Sequence, residues 1–179
     1  AYIGAKKGDV FIVLHQFGSH GPAYYKRYPA RFAQFTPECK DNRVSRCSRQ
    51  EIVNAYDNTI LYTDYFLSKV INLLEKNSDH SLTAMLYISD HGESLGEKGL
   101  YLHGIPFAFA PVEQTQVPML FWLSKNFSES YGIDQSCLMS RRGTAYTHSN
   151  LFHSVLGLLA ISTPEYKKEF DIFAGCVKP

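Results

Sequence analysis

The sequence predicts an α/β domain with a mainly parallel sheet and helices on both faces, and three observations carry that prediction. Two short runs, residues 10–14 (Val-Phe-Ile-Val-Leu) and 84–88 (Ala-Met-Leu-Tyr-Ile), are apolar on both faces and rich in strand-forming types, as strands buried between two layers must be. One long amphipathic helix pattern lies between them. Strand, helix, strand is the right-handed crossover unit that joins parallel neighbours. With 179 residues, 45% of them hydrophobic, the chain can build a real core and is not intrinsically disordered. No repeat, low-complexity tract or linker interrupts it, so residues 1–179 read as one domain.

Taken in order, the first run ends in the loop His15-Gln16-Phe17-Gly18-Ser19-His20-Gly21-Pro22, and a polar segment holding Cys39 and Cys47 follows. Ser48-Arg49-Gln50-Glu51 has the spacing of a capping box, in which the serine oxygen accepts from a free helix N–H and the glutamate reaches back. Val53, Tyr56, Ile60, Leu67, Val70 and Leu74 then recur at helical spacing. They predict a helix that ends near Asn77 and lies across one face of the sheet. The second strand run opens into Ser89-Asp90-His91-Gly92-Glu93-Ser94. Residues 95–111, rich in Gly and aromatics and carrying His103, read as an irregular loop returning over the strand ends. Residues 117–123 predict a third strand, with Pro118 tolerated near its start. Residues 124–142 are polar and read as loop. After Ser149 and Asn150, the positions Leu151, Phe152, Val155, Leu156 and Leu159 predict a closing helix.

Eighteen basic residues against 17 acidic ones leave a formal charge of +1, so bulk charge draws in neither nucleic acid nor an anionic membrane. No stretch of about 18 consecutive apolar residues predicts a membrane-spanning helix. The opening Ala-Tyr-Ile-Gly-Ala-Lys-Lys has no initiator Met and no signal-peptide pattern, and reads as mature or truncated material. Cys39, Cys47, Cys137 and Cys176 lack CxxC spacing; a metal site and a reactive thiol stand against disulfides in an oxidising compartment, and disulfides are favoured. Cys39 and Cys47 flank a short polar loop that a bridge can close. Cys137 is then left to Cys176 by elimination.

Chemistry enters through the seven histidines. His80 sits in a polar connection, His148 and His153 flank or occupy the last helix in structural roles, and His15 terminates a strand run. His20, His91 and His103 are each followed by Gly, on loops predicted to gather at the sheet edge where α/β folds bind ligands. Asp90 and His91 are adjacent at a strand end, with Gly92 to let the backbone turn. A carboxylate oxygen and an imidazole nitrogen suit zinc at about 2.0–2.2 Å, and manganese less tightly. The plainer alternative is an Asp that caps the next segment beside a solvated His. Two ligands do not complete a metal site, so the pair must be completed from elsewhere. His20 and His103 can donate to a phosphoryl or sulfuryl oxygen or hold a second metal, which makes phosphoryl transfer the economical reading.

The strings Phe-Ile-Val-Leu-His-Gln-Phe-Gly-Ser-His-Gly-Pro, Tyr-Asp-Asn-Thr-Ile-Leu-Tyr-Thr-Asp, Ile-Ser-Asp-His-Gly-Glu-Ser-Leu-Gly-Glu and Tyr-Leu-His-Gly-Ile-Pro, in this order, resemble the lipid A phosphoethanolamine transferases, including the mobile colistin resistance enzymes. These belong to the sulfatase-like branch of the alkaline phosphatase superfamily. The resemblance runs from about Asp9 into the last helix. It implies an alkaline phosphatase/sulfatase-like fold that is incomplete in this chain, with Asp90 and His91 as ligands of a catalytic zinc. His20 and His103 would contact the phosphoryl group or a second zinc, and Glu93 would line the substrate pocket. The implied enzyme is periplasmic and anchored in the bacterial inner membrane by an N-terminal domain outside this chain. It would move phosphoethanolamine from phosphatidylethanolamine, through a phosphothreonine, to a lipid A phosphate, which weakens the attraction for cationic polymyxins. In the family the nucleophilic Thr and a further carboxylate ligand lie upstream of the Gly-Ser-His-Gly-Pro loop. No Thr of this chain is therefore assigned as nucleophile, and the chain reads as the C-terminal portion of the catalytic domain, inactive by itself. The alternatives are a related phosphoglycerol transferase or sulfatase, and a non-catalytic domain that binds an anionic lipid head group through the three histidines.

Overall fold

The computed structural model describes residues 8–178, so the opening segment 1–7 lies outside the described residues. Helix α1 (Arg49–Lys76) begins where the capping spacing places it. The Ser48 N–H and hydroxyl both donate to Glu51 Oε2, at 2.7 and 2.8 Å, and the Glu51 N–H donates back to Ser48 Oγ at 3.3 Å. No Pro or Gly interrupts the 28 residues, and the helix runs for about 42 Å.

The face that α1 buries differs from the apolar stripe. Ile52, Asn54, Ala55, Asn58 and Thr59 are buried, whereas Ile60 is largely exposed. The cause is a loop laid along the helix. Asn58 accepts from the Gln34 and Phe35 N–H groups, both at 2.9 Å, and donates to the Phe35 carbonyl at 3.0 Å. Asn54 donates to the Pro37 carbonyl at 2.7 Å. The loop residues themselves are exposed, but the N–H and C=O groups they turn to the helix find their partners in these buried amides.

Strand β1 (Ala84–Ile88) pairs with β4 (Met119–Leu123), while β2 (Ser94–Leu95) and β3 (Tyr101–Leu102) form a small antiparallel hairpin inside the segment read as irregular loop. Ser94 lies opposite Leu102, and Leu95 opposite Tyr101. The short helix α2 (Val112–Thr115) leads towards β4. The fold is thus α/β, with a sheet smaller than expected among the described residues.

Residues 10–14 correct the expectation of a first strand. They lie in no strand and are exposed, from 41% at Val10 to 75% at Val13. A run that is apolar on both faces becomes a strand only when a neighbour takes up its N–H and C=O groups and layers cover both sides. The described residues supply neither.

Residues 124–142 depart in the other direction, because they contain α3 (Lys125–Ser130) and α4 (Gln135–Ser140). Each is six residues long and owes its start to a cap. The Ser124 hydroxyl accepts from the Phe127 N–H at 3.2 Å, and Asp134 Oδ1 accepts from the N–H groups of Ser136 and Cys137 at 2.9 and 3.2 Å. Helix α5 (His148–Leu158) starts from Thr147, whose N–H donates to Asn150 Oδ1 at 2.8 Å.

The chain divides into two compact units. One comprises the described residues up to Leu73 with Tyr87–Leu120; the other comprises Leu74–Leu86 and the residues from Phe121 onward. Each has its own disulfide: Cys39 with Cys47 beside the buried cluster of Tyr24, Ile52 and Ala55, and Cys137 with Cys176. The first pairing is the expected one, and the second is the one that elimination leaves. No helix among the described residues is long and apolar enough to cross a membrane.

Candidate functional site

Three loops of the first unit bring their histidines together. The His20 loop is pinned from two sides: Ser19 Oγ lies 2.6 Å from the hydroxyl of the buried Thr59 on α1, and Arg27 Nε donates to the His20 carbonyl at 3.0 Å. His91 follows β1. Beyond it, the Gly92 N–H donates to the Gln114 carbonyl at 3.0 Å, and a Cβ at Gly92 would run into the Glu113 carbonyl. Close backbone approach, not a left-handed turn, is what requires glycine there. His103 follows β3 and sits between two residues with positive φ, Leu102 at +64° and Gly104 at +108°. A left-handed leucine costs about 1–3 kcal/mol. The chain accepts that strain where His103 is turned towards the other two histidines.

His20, His91 and His103 each offer a ring nitrogen within 4.8 Å of the others. Ring centroids stand 3.9 Å apart for His91 and His103, 4.9 Å for His20 and His103, and 6.1 Å for His20 and His91. Their tautomers follow from their partners. His20 Nδ1 lies 2.7 Å from the Gly21 carbonyl, His91 Nδ1 2.9 Å from the Gly92 carbonyl, and His103 Nδ1 2.9 Å from Glu93 Oε1. Carbonyl and carboxylate oxygens only accept, so each Nδ1 carries the proton. Nε2 is therefore the nitrogen left to bind a metal or take up a proton when a ring is neutral.

Asp90 lies outside that trio. Its side chain is 81% exposed, Oδ1 accepts from the His91 N–H at 3.1 Å, and Oδ2 stands 3.9 Å from His91 Nε2. Two ligands of one tetrahedral zinc are about 3.3 Å apart, given bonds near 2.0 Å. A small rotation of an exposed carboxylate closes that difference. The donor set of imidazole nitrogens and one carboxylate oxygen suits zinc, and His91 is common to the Asp90 pair and the trio.

Glu93 is the residue whose setting the sequence did not disclose. It is buried, with its side chain only 3% exposed. Oε1 takes the Gly21 N–H at 3.2 Å as well as His103 Nδ1, and Oε2 takes the Tyr24 hydroxyl at 3.0 Å. Burial first, and then the Glu93 charge, push the Tyr24 phenol far above its ordinary value. Tyr24 is thereby held as a donor. The same two causes raise Tyr56, while burial and the Asp90 charge raise Tyr87. An acidic residue two positions beyond a candidate ligand was the available signal, since ligating histidines are commonly oriented by a carboxylate.

The group of three includes none of the other histidines. His15 and His80 are exposed, and His148 lies at the start of α5. His153 is buried among Phe152, Tyr166 and Phe170, and its Nδ1 accepts from the Lys167 N–H at 3.2 Å. That bond fixes the tautomer opposite to the one shared by the trio.

Known proteins are similar to this chain in sequence and fold. The chain is 51% identical to phosphoethanolamine transferase EptA of Salmonella typhimurium over 176 residues, which are 98% of this chain and 32% of that protein. It is 53% identical to phosphatidylethanolamine transferase Mcr-1 of Escherichia coli over 178 residues, 99% of this chain and 29% of that protein. The soluble domain of lipooligosaccharide phosphoethanolamine transferase A from Neisseria meningitidis superposes with a TM-score of 0.95 at 46% identity, covering 99% of this chain and 54% of that domain. The chain thus spans about a third of the length of the curated relatives it matches. A family model described as Sulfatase matches residues 1–161, and with that match, the α/β fold and the clustered histidine loops, the chain belongs to the sulfatase family.

Proposed function

We propose that this chain forms part of a phosphoethanolamine transferase that moves the head group of phosphatidylethanolamine to a phosphate of lipid A. The observation that carries the reading is the gathering of His20, His91 and His103, ring nitrogens within 4.8 Å of one another, in a chain about half identical to named phosphoethanolamine transferases. Asp90 and His91 would hold a catalytic zinc, with His20 and His103 beside it acting on the phosphoryl group or holding a second zinc. When bound, such an ion supplies Lewis-acid stabilisation of phosphoryl oxygens and activates a nucleophile. No Thr of this chain is assigned as the nucleophile.

The remaining chemistry belongs to the side chains. With Nδ1 engaged, His20 and His103 present Nε2 alone: neutral, it accepts a proton from an incoming hydroxyl, and protonated, it donates to a phosphoryl oxygen or a leaving group. Donors fixed where negative charge grows are worth most, because they need no reorganisation during the reaction. Transfer leaves an ethanolamine ammonium on lipid A, which lowers the negative charge that attracts polymyxins. The periplasmic face of the inner membrane suits this reaction, and an oxidising compartment is consistent with the two disulfides.

The test is zinc content together with initial rate of head-group transfer in the complete enzyme. Stoichiometric zinc and transfer that disappears on chelation are expected. Full transfer without zinc would remove the metal from the reading, and zinc with sulfate-ester cleavage in place of transfer would favour a sulfatase.

A further inference from the structure

The resemblance places Glu93 against the substrate, but its buried side chain has three donors on its two oxygens and turns no free oxygen outward. We propose that Glu93 is a positioning residue, which holds His103 by Nδ1 with Nε2 turned into the histidine trio and fastens the loop of His20 to the same carboxylate. The kinetic consequence rests on the transferase reading; the geometric one does not.

The three histidines are not held alike. His20 and His91 lean on the carbonyl of the next residue, a partner that travels with the ring. His103 takes a carboxylate ten positions earlier in the chain. Turning the His103 ring over would set a C–H against Glu93 and leave a buried carboxylate oxygen short of a donor, so the charge-assisted bond selects one ring orientation and one tautomer. Because Oε1 also receives the Gly21 N–H, one atom joins the residue after His20 to the ring of His103. The 4.9 Å between those two rings therefore depends on Glu93.

Ring-nitrogen NMR on the metal-free complete enzyme tests this, run beside transfer kinetics for Glu93→Ala and Glu93→Gln. In the parent protein His103 should show a protonated Nδ1 and a bare Nε2, as should His20 and His91. In Glu93→Ala, His103 should average between tautomers while His20 and His91 keep theirs, and kcat should fall about ten- to hundred-fold with KM unchanged. Gln keeps an acceptor oxygen, so Glu93→Gln should retain the tautomer and recover most of the rate. An unchanged His103 tautomer in Glu93→Ala overturns the proposal, and so does a rise in KM at constant kcat, which marks a substrate contact. If Glu93→Ala does not fold, Glu93→Gln decides: the His103 Nδ1 proton must move upfield as its acceptor loses charge, and no movement overturns the proposal. A parent enzyme that transfers nothing from phosphatidylethanolamine sinks the transferase reading, while the ring spectra still decide the role of Glu93.

Discussion

Glu93 in one unit and Asp171 in the other are both buried carboxylates, 7% and 9% exposed, and each takes a tyrosine hydroxyl and a backbone N–H. Asp171 accepts from Tyr166 at 2.7 Å and from the Phe173 N–H at 2.9 Å, and a Cβ at Gly157 would collide with it. Its partners all belong to the packing of that unit. Glu93 adds one partner of another kind, the imidazole of His103, which it holds by Nδ1 and not by its second nitrogen. Burial of a charge therefore does not by itself mark a functional position; what matters is whether one of its donors also faces outward with chemistry left to do.

That contrast can be broken most sharply at the outward-facing groups. In the complete enzyme, His91→Ala or Asp90→Ala should abolish both zinc retention and transfer, measured by elemental analysis and initial rate. His91→Ala with its zinc intact would break the assignment. Next in size, His20→Ala and His103→Ala should each lower the rate by about 10²- to 10³-fold while one zinc stays bound, and His80→Ala should change neither quantity.

On the Asp171 side the expected effects are on stability alone. Asp171→Ala leaves the buried Phe173 N–H without its acceptor, and a lost buried partner costs about 1–3 kcal/mol. The midpoint of denaturant unfolding should fall accordingly while the transfer rate holds. A rate loss as large as that of His103→Ala would erase the distinction between the two carboxylates.

The smallest effect lies in alkaline solution. Burial, and then the hydrogen bond to Asp171, push the Tyr166 phenol up to about 12. Once the chain unfolds, the phenol ionises near its ordinary value of about 10. Its contribution to stability is thus complete below pH 10 and is lost as pH rises towards 12. Tyr24, raised for like reasons beside Glu93, acts in the same direction from pH 10 upward. Unfolding midpoints at pH 9 and pH 11 check this, and in Tyr166→Phe the drop between them should be smaller.

Much of the scaffold was legible because its signals are local. The Ser48 and Glu51 capping pair gave the start of α1, the bounds of β1 were read to the residue, and the cysteine loop gave its own bridge. Helices α3 and α4 escaped because a helix of six residues has too few turns for periodicity, and only Ser124 and Asp134 announce it. The buried stripe of Asn54, Asn58 and Thr59 escaped for another reason. Apolar spacing cannot register a face whose task is to satisfy loop backbone. At the site, Gly-flanked histidines on three loops pointed to His20, His91 and His103. Beyond its place two positions after His91, nothing local announces the burial of Glu93, which is set by Gly21 and Tyr24, 72 and 69 positions away in the chain.

The uncovered run at residues 10–14 gives aggregation an address. Five successive residues without charge or Pro, each at least 41% exposed, combine high strand propensity with the lack of a strand partner among the described residues, the ingredients of intermolecular strand pairing. While such a run stays unpaired, concentration competes with folding. A gatekeeper such as Val13→Lys, at the position that is 75% exposed, should raise the solubility of this segment handled alone. The same substitution should destabilise any assembly that covers the run on both faces, so comparing the two states separates what favours solubility from what favours the finished sheet.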